Sequence, residues 1–81
     1  MDQENKIEFL ELSKEEEEKE IKDLNAFIEK LEIIKNQMPS FSIINIKANA
    51  FIKELSKEIE YKDFLIQELT DSINFEDSKK E

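Results

Sequence analysis

The sequence predicts an all-α protein: two long amphipathic helices in an antiparallel hairpin of coiled-coil type, dimerising into a four-helix bundle. Three observations carry that expectation. Apolar residues recur at heptad spacing in both halves of the chain, a single proline separates the halves, and glycine is absent. Tight β-hairpins depend on Gly, Asn-Gly or Asp-Gly at their turns, and none occurs here.

The first arm spans residues 4–38. With heptad positions lettered a to g, Ile7, Ile21 and Ile28 fall at a, and Leu10, Leu24, Leu31 and Met38 at d. Residues 39–42 form the turn. Pro39 cannot continue a helix and drives the residue before it out of helical geometry. Ser40 and Ser42 are then the candidate N-caps of the second helix. The second arm spans 43–76, with Ile52, Ile59, Ile66 and Ile73 at a and Leu55 and Leu69 at d. Seven of the twelve isoleucines thus occupy a positions, so the periodicity is a coiled-coil seam. The seam residues expected to pack are Ile21, Leu24, Ile28, Leu31, Ile52, Leu55, Ile59, Ile66 and Leu69.

Further apolar residues sit at g: Phe27 and Ile34 in the first arm, Ile44, Phe51 and Leu65 in the second. A stripe over a, d and g is wider than two helices need and suits a larger bundle. Ile at a with Leu at d also favours self-association. Residues 1–81 therefore read as one helical domain and a homo-oligomer, with Met1–Glu4 and the 77–81 tail frayed.

A turn centred near residues 41–42 sets Leu31 opposite Ile52, Ile28 opposite Leu55, Leu24 opposite Ile59 and Leu10 opposite Ile73. Two layers conflict with this register. Lys14 faces Leu69, and Glu17 faces Ile66. Lysine can reach water along its stem, but a buried carboxylate has no such exit. Ser13-Lys14-Glu15-Glu16 also reads as a capping box. The first arm is therefore either one continuous helix or is broken near Ser13, with residues 4–12 as a separate short element.

Composition narrows function. Asp and Glu number 21 against 12 Lys, no Arg and no His, for a net charge of −9. Phosphate contact needs positive charge and anionic membranes repel acidic surfaces, so neither direct nucleic-acid binding nor membrane association is expected. No apolar run approaches the ~18 residues of a membrane span, and no secretory leader is apparent. A cytoplasmic protein is the expectation. Without Cys or His, disulfides and the usual zinc and haem sites are unavailable. Phosphate-cradling loops need Gly, and carboxylate-bridged di-iron bundles need His beside Glu. No catalytic residue, cofactor or metal ligand is expected, and the chain reads as a non-enzyme.

The partner expected instead is another protein. Candidate contact residues are the acidic run Glu15, Glu16, Glu17 and Glu18, together with Phe41 at the turn and Tyr61 and Phe64 at c and f. Each has a plainer reading. The glutamates form a solvated face with i, i+4 lysine pairs, Phe41 and Ile44 close the hairpin end, and Tyr61 and Phe64 pack against a neighbouring helix. The charge is unevenly spread: residues 1–20 carry net −6, residues 21–60 are neutral, and residues 61–81 carry −3. A hairpin gathers all of it at the open end.

The functional expectation is a non-enzymatic protein–protein interaction module: an adaptor, assembly subunit or chaperone-like helical binder. The alternative is a small acidic inhibitor of a nucleic-acid-binding protein, of the anti-restriction or anti-CRISPR type, mimicking a phosphate backbone. Small size, the acidic balance and a residue skew typical of AT-rich coding sequence motivate it.

Overall fold

A computed structural model describes residues 3–78, with side chains from residue 5 onward. It contains two helices, α1 (Gln3–Asn36) and α2 (Ile43–Ser78), packed against each other as an antiparallel hairpin. There is no strand among the described residues. The molecule measures 60 × 16 × 14 Å, with a radius of gyration of 18.2 Å. A compact chain of this length would have a radius near 12 Å, so most residues lie close to solvent.

α1 runs unbroken through Ser13, so the continuous-helix alternative describes the arm and the capping box there is not used. At the other end, Gln37 and Met38 close the last turn with i, i−3 bonds to the Ile34 and Lys35 carbonyls, both 3.1 Å. Helices often end on a left-handed glycine. This chain has no glycine, and no described residue has a positive φ. The terminal carbonyls go to a side chain instead. Asn45 Nδ2 donates to the Lys35 carbonyl at 2.9 Å and to the Met38 carbonyl at 3.4 Å.

Ser42 is the N-cap of α2. Its Oγ accepts the Asn45 N–H at 3.0 Å, and its carbonyl accepts the first helical bond, from Ile46 N–H. Asn45 Oδ1 accepts from Asn49 Nδ2 at 3.1 Å, so the buried Asn45 amide ties both helices to the turn. Asp77 and Ser78 still belong to α2, and Gln3 and Glu4 to α1, so both helices reach further into the tails than expected. Residues 1–2 and 79–81 lie outside the described residues.

The predicted register is close to the observed one. At the open end Lys6 Nζ meets Glu76 at 2.9 Å, one residue from the predicted level. All nine predicted seam residues are half-buried, where the helices meet. The depth of the core differs. Among the described residues, the buried apolar ones are Ile7, Ala48 and Ile73, and no side chain is fully enclosed. Two helices cover one stripe of each other and leave the rest to water.

Candidate functional site

The seam contains a charged layer that the apolar pattern skips. Lys62 occupies d between Leu55 and Leu69, level in the predicted register with Ile21. Its side chain is only 14% exposed. The ammonium lies 2.6 Å from Glu20 Oε2, 3.2 Å from Glu17 Oε2 and 3.9 Å from Glu58 Oε1. The Glu20 carboxylate, then Glu17, hold the Lys62 ammonium above its ordinary value, against burial that pulls it down. This corrects the reading of Glu17. It is not a flaw against Ile66, nor part of a free acidic face, but the partner of Lys62. Lys14, the other misfit, is half-buried and lines a shallow groove with Glu11, Glu15, Glu18 and Ile73.

Antiparallel packing brings the g positions of both helices to the same side of the hairpin. Phe27 and Phe51 meet there edge to face, with ring centroids 5.5 Å apart and planes at 66°. Both rings remain nearly half exposed, at 47% and 46%. Toward the turn the side continues as a groove of about 330 Å³ lined by Leu31, Ile34, Ile43, Ile44, Lys47 and Phe51. Toward the open end it becomes a groove of about 390 Å³ lined by Glu20, Asp23, Leu24, Phe27, Glu58 and Lys62. A third, of about 540 Å³, lies near the termini against Lys6, Leu10, Ser72 and Phe75. The opposite, e-position side carries Glu11, Glu18, Asn25 and Glu32 from α1 and Asn49, Ser56, Asp63 and Thr70 from α2. The g-position side is therefore apolar from the phenylalanine pair to the turn and mixed beyond it, where Glu20 and Glu58 take g, and the e-position side is polar.

The turn does not close as expected. Phe41 is 82% exposed and Ile44 about half exposed, with Ile43 and Ile46 also open. The Asn45 amide occupies the place where the two helices meet, and Phe41, outside both helices, has nothing to cover. Tyr61 and Phe64 are exposed on the outer surface of α2. Glu15, Glu16 and Glu18 are exposed on α1, while Glu17 turns inward. The candidate residues thus fall on separate surfaces: the acidic trio on α1, the aromatic pair outside α2, and Phe41 at the tip.

Sequence reasoning recorded Phe27 and Phe51 only as a widening of the seam. Lys62 and Asn45 it missed altogether. Both occupy seam positions, d and a, of the heptad already assigned. Filling every a and d position, polar ones included, would have found them.

Among the described residues no group of His, Cys, Asp or Glu is arranged to hold a metal ion, and no helix is long and apolar enough to cross a membrane. The fold and its uncovered side define a class: a two-helix hairpin that presents an apolar flank over its turn half, from Phe27 and Phe51 to Ile34 and Ile44. No family model, curated protein or solved structure matches the chain.

Proposed function

We propose that the hairpin is a non-enzymatic protein–protein interaction module, an adaptor, assembly subunit or chaperone-like binder that engages a helical partner through its g-position side. One observation carries the reading. Phe27, Phe51, Ile34 and Ile44 form a contiguous patch at the meeting of two helices, each near half exposure, where no described side chain is fully enclosed. Clustered exposed apolar residues mark interfaces, and aromatic anchors dominate their energetics. A further pair of helices laid on this side would complete a four-helix bundle and supply the core that the hairpin lacks.

The test is affinity capture from the source cell with three baits of equal helicity. These are the wild-type chain, Phe27→Ser/Phe51→Ser on the g side, and Tyr61→Ser/Phe64→Ser on the outer surface. A protein retained by the wild type and the outer variant but lost with the g-side variant supports the module. A protein retained equally by all three refutes this surface.

The acidic-inhibitor reading has its own supporting observation. The antiparallel fold sets residues 3–20, of net −5, and residues 61–78, of net −4, side by side at the open end, with Glu15, Glu16 and Glu18 exposed. It predicts a basic partner whose affinity falls steeply with salt.

A further inference from the structure

We propose that the turn end of the hairpin docks tip first on an anionic lipid surface, with the acidic open end standing away in water. The tip is a different surface from the phenylalanine pair, so this goes beyond the interaction reading above.

The exposed apolar residues at this end point in too many directions for one protein face. Ile43, Ile44 and Ile46 lie in the first turn of α2, where successive residues are roughly 100° apart. Asn45, buried, takes the direction that faces α1, and the three isoleucines take the others, each at least half exposed. Ile33 and Ile34 are exposed on the last turns of α1, and Phe41, in the turn, is exposed beyond both helices. The e side, with Glu32 and Asn49, stays polar. A partner's flat face covers one side of such an end. A fluid apolar phase covers several at once, without a matching shape.

The charge fits a layer of anionic headgroups. The chain has 21 acids, and none lies between Ile33 and Lys53. Residues 30–50 hold Lys30, Lys35, Lys47 and Glu32, net +2, in a chain of net −9. Lys47 lies four residues from the start of α2, roughly 6 Å, and Lys30 six residues from the end of α1, roughly 9 Å; both are exposed. Interfacial segments sink about 5–10 Å into the boundary between headgroups and acyl chains. That depth submerges Phe41 and Ile43 and holds both ammonium groups at headgroup level, where lysine is attracted to anionic lipid.

The chain's acidity opposes a membrane only where the acids come near it. Residues 3–20 and 61–78 hold net −5 and −4 and begin about 24 Å from the helix ends at the turn. That is three times the ~8 Å Debye length of physiological salt. The stretches between, 21–29 and 51–60, carry only −1 each. The backbone of the tip is also partly prepared to leave water. Pro39 has no N–H, its carbonyl accepts the Ser42 N–H at 3.0 Å, and the Asn45 amide holds the Lys35 and Met38 carbonyls. A polar group already bonded costs far less to bury than a free one. Phe27 and Phe51, nine and eight residues from the helix ends, stay roughly 12–14 Å up, above the inserted layer.

The experiment uses vesicles of phosphatidylcholine alone and of an equal mixture with phosphatidylserine. The chain has no Trp, so Phe41→Trp gives a single reporter at the tip and Tyr61→Trp one about 27 Å away. The mixed vesicles are expected to co-sediment the chain and to release it as salt rises. The reporter at position 41 is expected to shift to the blue and to be quenched by brominated acyl chains, and the reporter at position 61 to do neither. Phe41→Ser is expected to weaken vesicle binding at least tenfold, and Lys30→Gln and Lys47→Gln about fivefold each. Circular dichroism in water confirms that the variants remain helical. No binding to mixed vesicles at millimolar lipid, equal binding to both kinds, or quenching at position 61 as strong as at position 41 overturns the proposal. So does a captured protein that is lost with Phe41→Ser while the vesicles bind nothing, since the tip then fills a protein socket.

Discussion

Replacing Lys62 by Met deletes an ammonium and keeps most of its stem. The hairpin loses two charge-assisted hydrogen bonds, to Glu20 and Glu17, and three carboxylates are left around one apolar side chain. Hydrogen bonds to charged groups are worth ~1.5–3 kcal/mol where water is excluded. Here the hairpin is only 16 Å wide and the Glu20 and Glu58 side chains are about half exposed, so solvent screens much of this. The expected net loss is about 2 kcal/mol at neutral pH, or roughly 8–16 °C in Tm for a chain of this size. Thermal and urea unfolding followed by circular dichroism at one fixed concentration measures it.

The pH dependence checks the cause. The fold raises the Lys62 pKa above its ordinary 10.5. Its contribution is therefore complete below pH 10.5 and is lost as pH rises through the raised value. The gap between wild type and Lys62→Met should be constant from neutrality to about pH 10 and close in stronger alkali. The double change Glu17→Leu/Lys62→Leu should return stability to the wild-type level or above, since removing both members of a charged seam pair relieves their desolvation. A Lys62→Met variant as stable as the wild type at pH 7 would refute the account.

The turn and the acidic end give three further expected outcomes. Ser42→Ala removes the α2 cap and should cost about 1 kcal/mol in urea unfolding. Asn45→Ala takes the side-chain donor from the Met38 carbonyl and leaves the Lys35 carbonyl only the Met38 N–H, and should cost about 1–3 kcal/mol; loss of amide-exchange protection confined to the turn would show the effect to be local. Changing Glu15, Glu16 and Glu18 to Gln should leave thermal stability within about 0.5 kcal/mol, because these side chains are exposed. If that triple variant keeps full affinity for a captured partner, phosphate mimicry by this run is excluded.

The contrast between what the sequence revealed and what it hid has a physical cause. Ile at a and Leu at d mark the seam by chemistry alone, and Pro39 with Ser42 marks the turn by backbone geometry, so both helices and their register were legible. The continuity of α1 through Ser13 was not. A capping box is a local preference, and the thirty-four-residue helix overrides it because Ile7 and Leu10 gain from packing on α2 only if the helix continues. Lys62 and Asn45 were hidden for a different reason. Scanning for apolar residues reads a polar side chain in the seam as a gap, when its meaning depends on what the other helix places opposite. Glu17 and Lys62, each a misfit alone, form one layer together.

That layer also bears on why this register forms at all. An apolar heptad seam tolerates a slip of seven residues, since Ile and Leu recur at the same positions. A slip of α2 by one heptad sets Lys62 level with Lys14 in one direction and with Ile28 in the other. The first opposes two cations, and the second strands an ammonium between apolar side chains. Only the observed register meets Glu17 and Glu20. At the turn, Asn45 reaches the Lys35 carbonyl under the same condition. The two polar seam residues thus penalise the slipped pairings that the apolar ones would accept, and they hold Phe27 against Phe51, the contact on which the uncovered side is built.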